Sequence, residues 1–318
     1  MEKIKNFLKS RELLAGLMGL VLGLGLGILL CAPYRGSDAV QMETTVPTPP
    51  GSTTQIVTTA APTTAPTTVP ATVPTTAPQI PTGPQPLVHH VTRNHFRAED
   101  FAYTESGYIT CLEAESWLGI DVSAHQKVID WQQVADAGIQ FAIIRIAYRG
   151  WGSEGILRQD NYAMANLEGA AAVGIKVGVY IYSQAITVEE AIEEAQLVLT
   201  LLDGRALDMP VVFDWEQPSE DEARTKNMDS EVLNACALAF CKTIEDAGYT
   251  PMIYFNQRQA KYQYDLTTIQ KAGYGFWLAM YSDALTYTHH VKMWQYTSSG
   301  SVPGINGRVD MDLYFPGL

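Results

Sequence analysis

Two carboxylates two residues apart, Asp214 and Glu216, point more directly to chemistry than other residues of this sequence. They end the apolar run in PVVFDWEQP, residues 210–218, whose first half predicts a buried strand. Side chains alternate along a strand, so both carboxylates face the same side. Burial and like charge raise the pKa of a carboxyl group. We therefore expect the pair at the mouth of a cleft, where it could exchange protons. Taken alone, Asp-Trp-Glu is equally compatible with a solvated acidic turn.

The elements that must position this pair begin at Trp117. From there, apolar strand-like runs alternate with helical stretches, and the helices have recognisable starts. Thr187 and Glu190 form a capping box, and Asp130 caps WQQVADAG. Strands alternating with helices predict a parallel sheet, and their number predicts a closed (β/α) barrel. From about residue 274 the strands follow one another without room for helices, so we expect an irregular barrel with some antiparallel pairing there.

Polar residues gather where the predicted strands end, and in a barrel these ends form one face. If the barrel closes, Asp121, Asp214, Glu216 and Asp310 share one cleft. Such a cleft suits sugars, because glycoside hydrolysis needs a proton donor with a raised pKa and a second group that stabilises the positive sugar centre. Each aromatic residue nearby could equally pack in the core. The candidate substrate-binding residues are Tyr182, Trp215, Asn256, Trp277, Tyr281, Trp294 and Gln295.

Motifs along the chain resemble those of a known family. The stretch that begins GIDVSAHQKVIDW, followed in order by PVVFDWE, FWLAMY, MWQYT and GRVDMDLY, is similar to glycoside hydrolase family 25, the Chalaropsis-type lysozymes. The resemblance covers residues 117–315 and implies a flattened, irregular β/α barrel. It also implies acids at four positions, which are Asp121 in GIDVS, Asp214 and Glu216 in FDWE, and Asp310 in RVDMD.

Small departures from the family pattern leave these acids in place. Lys127 stands where the family often has glycine, and the third strand reads Tyr180-Ile181-Tyr182. Asp312 lies on the same strand face as Asp310 and is the alternative for the last acid, although its position in the motif favours Asp310.

The resemblance implies an N-acetylmuramidase, which cleaves the β-1,4 bond between N-acetylmuramic acid and N-acetylglucosamine in peptidoglycan. We expect Glu216 to be the general acid and Asp214 to raise its pKa and to orient the 2-acetamido group or a water. Whether that acetamido group or a water attacks stays open. The scheme requires no cofactor and no metal. The alternatives are a wall-binding module without catalysis and a hydrolase of another amino-sugar polymer such as chitin.

The composition of this 318-residue chain restricts the classes of partner that it could bind. Its net charge of −13 argues against nucleic acid, because no basic patch is visible. Its four cysteines form neither a metal motif nor a dense disulfide framework.

The N-terminal part predicts a tether. Residues 13–33 carry no charge, which is enough to span a bilayer, and the cations in residues 1–12 predict a cytoplasmic N-terminus and an extracellular remainder. A cleaved signal peptide, and with it secretion, is the alternative. A stripe of small residues in this helix could support weak self-association. Residues 34–87, rich in threonine, proline and alanine, predict a disordered linker.

The remaining chain divides into two predicted parts. Residues 88–115 form a transition segment, in which FAYTESGYITCLEAES is expected to make a hairpin or a short collar. Residues 116–318 form the catalytic domain of the predicted surface enzyme.

Overall fold

A computed structural model of the chain describes residues 84–318, so the predicted anchor at 13–33 and most of the predicted linker lie outside it. Within the described part, no helix is both long and apolar enough to cross a bilayer. The strands are β1 (Phe101–Tyr103), β2 (Ile109–Cys111), β3 (Trp117–Val122), β4 (Phe141–Arg149), β5 (Leu157–Gln159), β6 (Lys176–Ser183), β7 (Val211–Trp215), β8 (Pro251–Asn256), β9 (Gly275–Ala279), β10 (Met293–Gly300) and β11 (Val309–Tyr314). The α-helices are α1 (Trp131–Asp136), α2 (Ala163–Ala172), α3 (Val188–Leu202), α4 (Ser230–Asp246), α5 (Gln257–Tyr262) and α6 (Leu266–Lys271).

The main sheet closes on itself. Its strand order is β3-β11-β10-β9-β8-β7-β6-β4-β5, and β3 also pairs with β4, so all of these strands except the edge strand β5 form a barrel. Strands β3 to β10 of the barrel pair in parallel, whereas β11 is antiparallel to both β10 and β3. The predicted α/β barrel with antiparallel pairing near its C-terminal end is thereby confirmed.

The helix starts follow the expected capping. The Thr187 hydroxyl accepts the Glu190 backbone N–H at 3.3 Å, and the Glu190 side chain accepts the N–H of Ile186 at 2.9 Å. The Asp130 carboxylate accepts the Gln133 N–H at 3.2 Å and begins α1. These bonds satisfy N–H groups that the first turn leaves free, and so fix where each helix leaves the barrel.

The predicted hairpin is also present, as the antiparallel pair β1 and β2. It packs on the barrel rather than standing apart. Phe101 is buried and its ring lies 5.3 Å from that of Trp294, while Phe96 lies 5.0 Å from Phe315. Ile109 in β2 is 2% exposed. The transition segment is therefore held to the barrel by its own apolar contacts.

Alternation along the strands sorts side chains into two apolar layers. Inside the barrel lie residues such as Phe141, Val212 and Met293, and a larger layer fills the space between sheet and helices. In β7 this places Val212 and Asp214 inside, and Phe213 and Trp215 outside. Phe213 contacts Phe240 of α4, with 5.2 Å between the ring centroids.

Gly119 sits where the barrel closes. It is paired with Phe141 across β3 and β4, and a Cβ atom at this position would overlap the Phe141 ring. We expect Gly119→Ala to lower the free energy of unfolding by about 1–3 kcal/mol, the usual cost of overpacking a core. Urea denaturation followed by circular dichroism measures it. Gly152→Ala is the matched control, because a Cβ there has no neighbour within 4 Å, and an equal loss in both variants would contradict the overlap.

Candidate active site

The predicted acids meet at the mouth of the barrel. A cavity of 170 Å³ there is lined by Asp121, Tyr180, Asp214, Glu216, Tyr254, Trp277, Tyr281, Gln295 and Asp310. The acids come from β3, the end of β7 and β11, so closure of the sheet is what brings them together. Asp121 and Asp310 are direct cross-strand partners.

The end of β7 is held by two buried glutamines. The Gln184 side chain donates to the carbonyl oxygen of Glu216 at 2.6 Å, and the Gln259 side chain donates to that of Trp215 at 2.6 Å. The Thr225 hydroxyl donates to Gln184 Oε1 at 2.7 Å. These bonds hold the backbone in place where the strand stops and Glu216 enters the cavity. The sequence gave no sign that the Gln184 side chain would bind this carbonyl oxygen.

Gln295 links the two sides of the cavity. Its Nε2 donates to Asp121 Oδ2 at 2.7 Å, and its Oε1 accepts the hydroxyls of Tyr254 at 3.0 Å and Tyr281 at 3.2 Å. Tyr254 was not among the predicted residues, although it is the register partner of Asp214 on the neighbouring strand β8. The network fixes the direction in which the Asp121 carboxylate points.

Asp310 and Asp312 both face the barrel interior, at different depths. Asp310 lines the cavity, whereas Asp312 is 0% exposed and accepts the indole N–H of Trp277 at 2.9 Å. The structure thus places Asp310 where a substrate could touch it and Asp312 behind it.

A cation inside the barrel partly offsets this negative charge. Arg145 on β4 bonds to the buried Asp160, with Nε and Nη2 each 2.8 Å from Oδ2. Asp160 also accepts the backbone N–H of Ala124 at 3.0 Å and of Tyr162 at 2.9 Å. Burial raises the pKa of Asp214, and the Arg145 charge partly opposes that rise. The sequence gave no sign of this ion pair, because Asp160 lies on the loop after the edge strand β5.

Burial is the main cause of the raised carboxyl pKa values in the cavity. It raises the pKa of Asp214 well above the ordinary value, and the neighbouring Glu216 charge raises it further. Burial and then the Asp310 charge raise the pKa of Glu216. Burial, with Asp312 and Asp310 nearby, raises that of Asp121. The repulsion between Asp214 and Glu216 is mutual, so it opposes ionisation of both groups, and the Asp310 charge also raises the pKa of Glu216.

The predicted binding residues do not all reach the cavity. Trp277, Tyr281 and Gln295 line it, and Tyr182 is half-buried beside Asp214, its register partner on β6.

The other three predicted binding residues serve the fold. Trp215 and Trp294 are 0% exposed and lie in the layer between sheet and helices, so neither can contact a sugar. Asn256 caps α5, its side chain accepting the N–H groups of Arg258 and Gln259, each at 3.0 Å. The burial of Trp215 and Trp294 corrects the expectation that they would bind substrate, whereas Asn256 is half-buried and does not line the cavity of the acids. Among residues 84–318, no group of three or more potential ligands is arranged to hold a metal ion.

Four acids gathered at the mouth of a mainly parallel (β/α) barrel are typical of an acid–base enzyme. Comparison with known proteins makes this specific. The profile of the family described as "Glycosyl hydrolases family 25" matches residues 120–305, more than half of the chain. The chain belongs to glycosyl hydrolase family 25 and is a glycoside hydrolase of the lysozyme type.

Proteins similar to this chain were found both by sequence and by structure. The uncharacterized protein YegX of Escherichia coli strain K12 is 30% identical over 209 residues, which cover 62% of this chain and 68% of that protein. The autolytic lysozyme of Clostridium acetobutylicum is 24% identical over 201 residues, covering 63% of this chain and 56% of that one.

The modular autolysin LytC of Streptococcus pneumoniae, solved with a synthetic peptidoglycan ligand, shares the fold. Its TM-score is 0.57 at 24% identity, and the match covers 71% of this chain. This chain spans only about half of the autolysin, 52% of its length.

Proposed function

We propose that this enzyme is an N-acetylmuramidase that hydrolyses the β-1,4 bond between N-acetylmuramic acid and N-acetylglucosamine in peptidoglycan. The observation that carries the proposal is the placement of Asp121, Asp214, Glu216 and Asp310 around one cavity in a chain of family 25. The names of the clostridial lysozyme and the peptidoglycan-bound autolysin are in keeping with this substrate.

Glu216 is the proposed general acid. It is half-buried and borders the cavity, while its raised pKa keeps a proton available to a higher pH. Protonation of the glycosidic oxygen by Glu216 releases the leaving sugar, and the positive charge that develops on the other sugar is stabilised by carboxylates.

Asp214 lies deeper on the same face and orients the nucleophile, either the 2-acetamido oxygen or a water. Asp121, fixed by Gln295, and Asp310 position the sugar and balance the charge. This scheme routes no step through a metal or cofactor.

Analysis of the reaction products tests which glycosidic bond the enzyme cleaves. The full-length chain and its Glu216→Gln variant are incubated with purified peptidoglycan, and the fragments are reduced and identified by mass spectrometry. New reduced muramic acid ends, absent with the variant, are the expected result. Reduced glucosamine ends would retain a glycosidase and overturn the bond specificity. Wall binding without new ends would favour a tethering module, and cleavage of chitin in preference to peptidoglycan would favour the other amino-sugar polymer.

The pH profile depends on the charge of Asp310. Because the acid must be protonated, activity falls as pH rises through the Glu216 pKa, which Asp310 raises. We expect Asp310→Asn to move the alkaline limb of the kcat/KM profile to lower pH, since removing the negative charge lowers that pKa. The control is Asp208→Asn, an exposed acid just before the other end of β7. An unmoved limb in Asp310→Asn would contradict the coupling.

We further propose that residues 13–33 anchor the enzyme in the cell membrane and that residues 34–87 space the barrel from it, so that it remodels the wall at the cell surface. The supports are the uncharged span, the preceding cations and the linker composition. A tether would supply local concentration that an acidic protein does not gain electrostatically from an anionic wall. Fractionation of a tagged chain tests this, and a shortened form in the medium would favour a cleaved signal peptide.

A further inference from the structure

A second cavity opens beside the acids, between the hairpin and the barrel. Its volume is 510 Å³, within the range of about 300–1,000 Å³ typical of small-molecule sites. Its wall is made partly by the hairpin, which precedes the family match at residues 120–305. The residues that define its chemistry are Tyr103, Tyr108, Tyr281, Asp283, Tyr296 and Ser301.

The hairpin is fixed in place across this cavity, which we call the hairpin cavity. The Tyr103 hydroxyl donates to Asp283 Oδ1 at 2.6 Å, and the Tyr108 hydroxyl donates to the Ser301 carbonyl at 3.4 Å. Below these contacts the buried residues Phe101 and Ile109 hold the hairpin to the core. The cavity is therefore bounded by groups held on both sides, as a binding site requires.

Tyr281 connects the hairpin cavity to the acids. It lines both the hairpin cavity and the cavity of Asp214 and Glu216. Its hydroxyl bonds to Gln295, the residue that fixes Asp121. A polymer that lies across the acids can therefore continue past Tyr281 toward the hairpin.

The charge of the lining side chains determines which part of a glycan strand the hairpin cavity can bind. Among the described residues that line it, Asp283 is the one charged side chain, and the others are tyrosines, small hydroxyl residues, glycines, Ile109 and Met311. The Asp283 carboxylate would repel an acidic group, so the hairpin cavity suits an uncharged one.

We infer that the hairpin cavity binds an uncharged N-acetylhexosamine ring of the glycan strand, beyond the sugars that lie at the acids. Tyr103 and Tyr281, 58% and 59% exposed, offer ring faces to the sugar. The Asp283 carboxylate accepts hydrogen bonds from the sugar hydroxyls, and the serine and threonine hydroxyls both accept and donate them. This inference rests on the proposed action on amino-sugar polymers and adds to it a dependence on strand length.

Binding is measured on the full-length chain carrying Glu216→Gln, which prevents turnover. Oligomers of N-acetylglucosamine of increasing length are titrated by calorimetry, with and without Tyr103→Ala or Asp283→Asn. Leu112→Ala is the matched control, because Leu112 follows the hairpin, is 62% exposed and does not line the cavity. Tyr103→Phe separates loss of the ring from loss of its hydrogen bond, and Asp283→Asn keeps the shape of the side chain.

We expect Tyr103→Ala to weaken binding of long oligomers about five- to tenfold and to leave the shortest oligomers within about twofold of the control. In the active chain the same change should raise KM for long strands and leave kcat unchanged. Equal affinity of Tyr103→Ala, Asp283→Asn and Leu112→Ala for long oligomers would overturn the site. So would tighter, Tyr103-dependent binding of oligomers that carry carboxylates.

The experiments can contradict the hairpin site and the muramidase activity independently of each other. If the wild-type chain cleaves peptidoglycan but Tyr103 has no effect on long oligomers, the hairpin site is wrong and the muramidase stands. If the chain cleaves nothing yet binds long oligomers through Tyr103, the site stands and the catalytic proposal falls.

Discussion

Glu216→Gln should remove most of the turnover of peptidoglycan while leaving the barrel folded. The amide cannot donate the proton that the leaving oxygen needs, and loss of a general acid costs typically about 10²–10⁴-fold in rate. The fold should survive, because the Glu216 side chain is only half-buried. Its backbone is held through its carbonyl oxygen by Gln184, which the substitution does not alter. Release of reducing ends measures the rate, and circular dichroism and thermal unfolding check the fold.

The matched control for this experiment is Glu222→Gln. Glu222 is exposed on the loop that follows the site, so the same loss of a carboxylate should leave the rate within about twofold. Turnover above one tenth of the wild-type rate in Glu216→Gln would show that another group supplies the proton. Asp214→Asn should then be tested next, since Asp214 is the other carboxyl group at the end of β7 and has a raised pKa.

Arg149→Met should cause the largest loss of stability among the substitutions considered. Arg149 is 4% exposed, and its Nε lies 2.7 Å from the carboxylate of Glu194, which is 0% exposed. Its other guanidinium nitrogens bond to the Gly155 carbonyl at 2.9 Å and to Glu193 at 2.7 Å. Removing one partner of a buried ion pair strands the other charge, so we expect the free energy of unfolding to fall by about 3–5 kcal/mol at pH 8.

The loss should shrink in acid. Burial raises the pKa of Glu194 to about 7 even though Arg149 lowers it, and without Arg149 that pKa rises further. A carboxyl group with a raised folded pKa takes up a proton on folding, so its destabilising effect is greatest above that pKa and fades as pH falls toward 5. Urea denaturation at pH 5 and pH 8 measures the difference.

Two further variants test this account of the ion pair. Arg149→Met combined with Glu194→Gln should recover part of the stability, because no buried charge is then unpaired. Arg205→Met is the control, since Arg205 lies 3.9 Å from the exposed Glu168 and such surface pairs contribute little. Equal losses at pH 5 and pH 8 would argue against a stranded carboxylate.

Rules that act over a few residues of sequence were enough to predict much of the architecture. Alternating strands and helices predicted the barrel, capping residues located helix starts, and strand alternation placed Asp214 and Glu216 on one face. The same alternation also argues against Trp215 and Trp294 as sugar-binding residues. Trp215 lies between two acids that face into the barrel, and Trp294 precedes Gln295, which also faces inward, so both indole rings must point outward. Both indole rings are buried outside the barrel. These two errors came from composition, since an aromatic near an acid suggested a sugar site regardless of the face it occupies.

What the sequence determined by itself was therefore the type and periodicity of the elements, and with them which side chains could face one another. Closure of β11 against β3 determined which acids share a cavity, and how deep each one lies. It set Asp310 at the surface of the cavity and Asp312 behind it, and it brought the Asp310 charge close enough to raise the pKa of Glu216. The contacts of Gln184, Arg145 and the hairpin were likewise decided only in three dimensions. The physical reason is range: capping and alternation act within a few residues, whereas burial and charge depend on segments that only the folded barrel brings together.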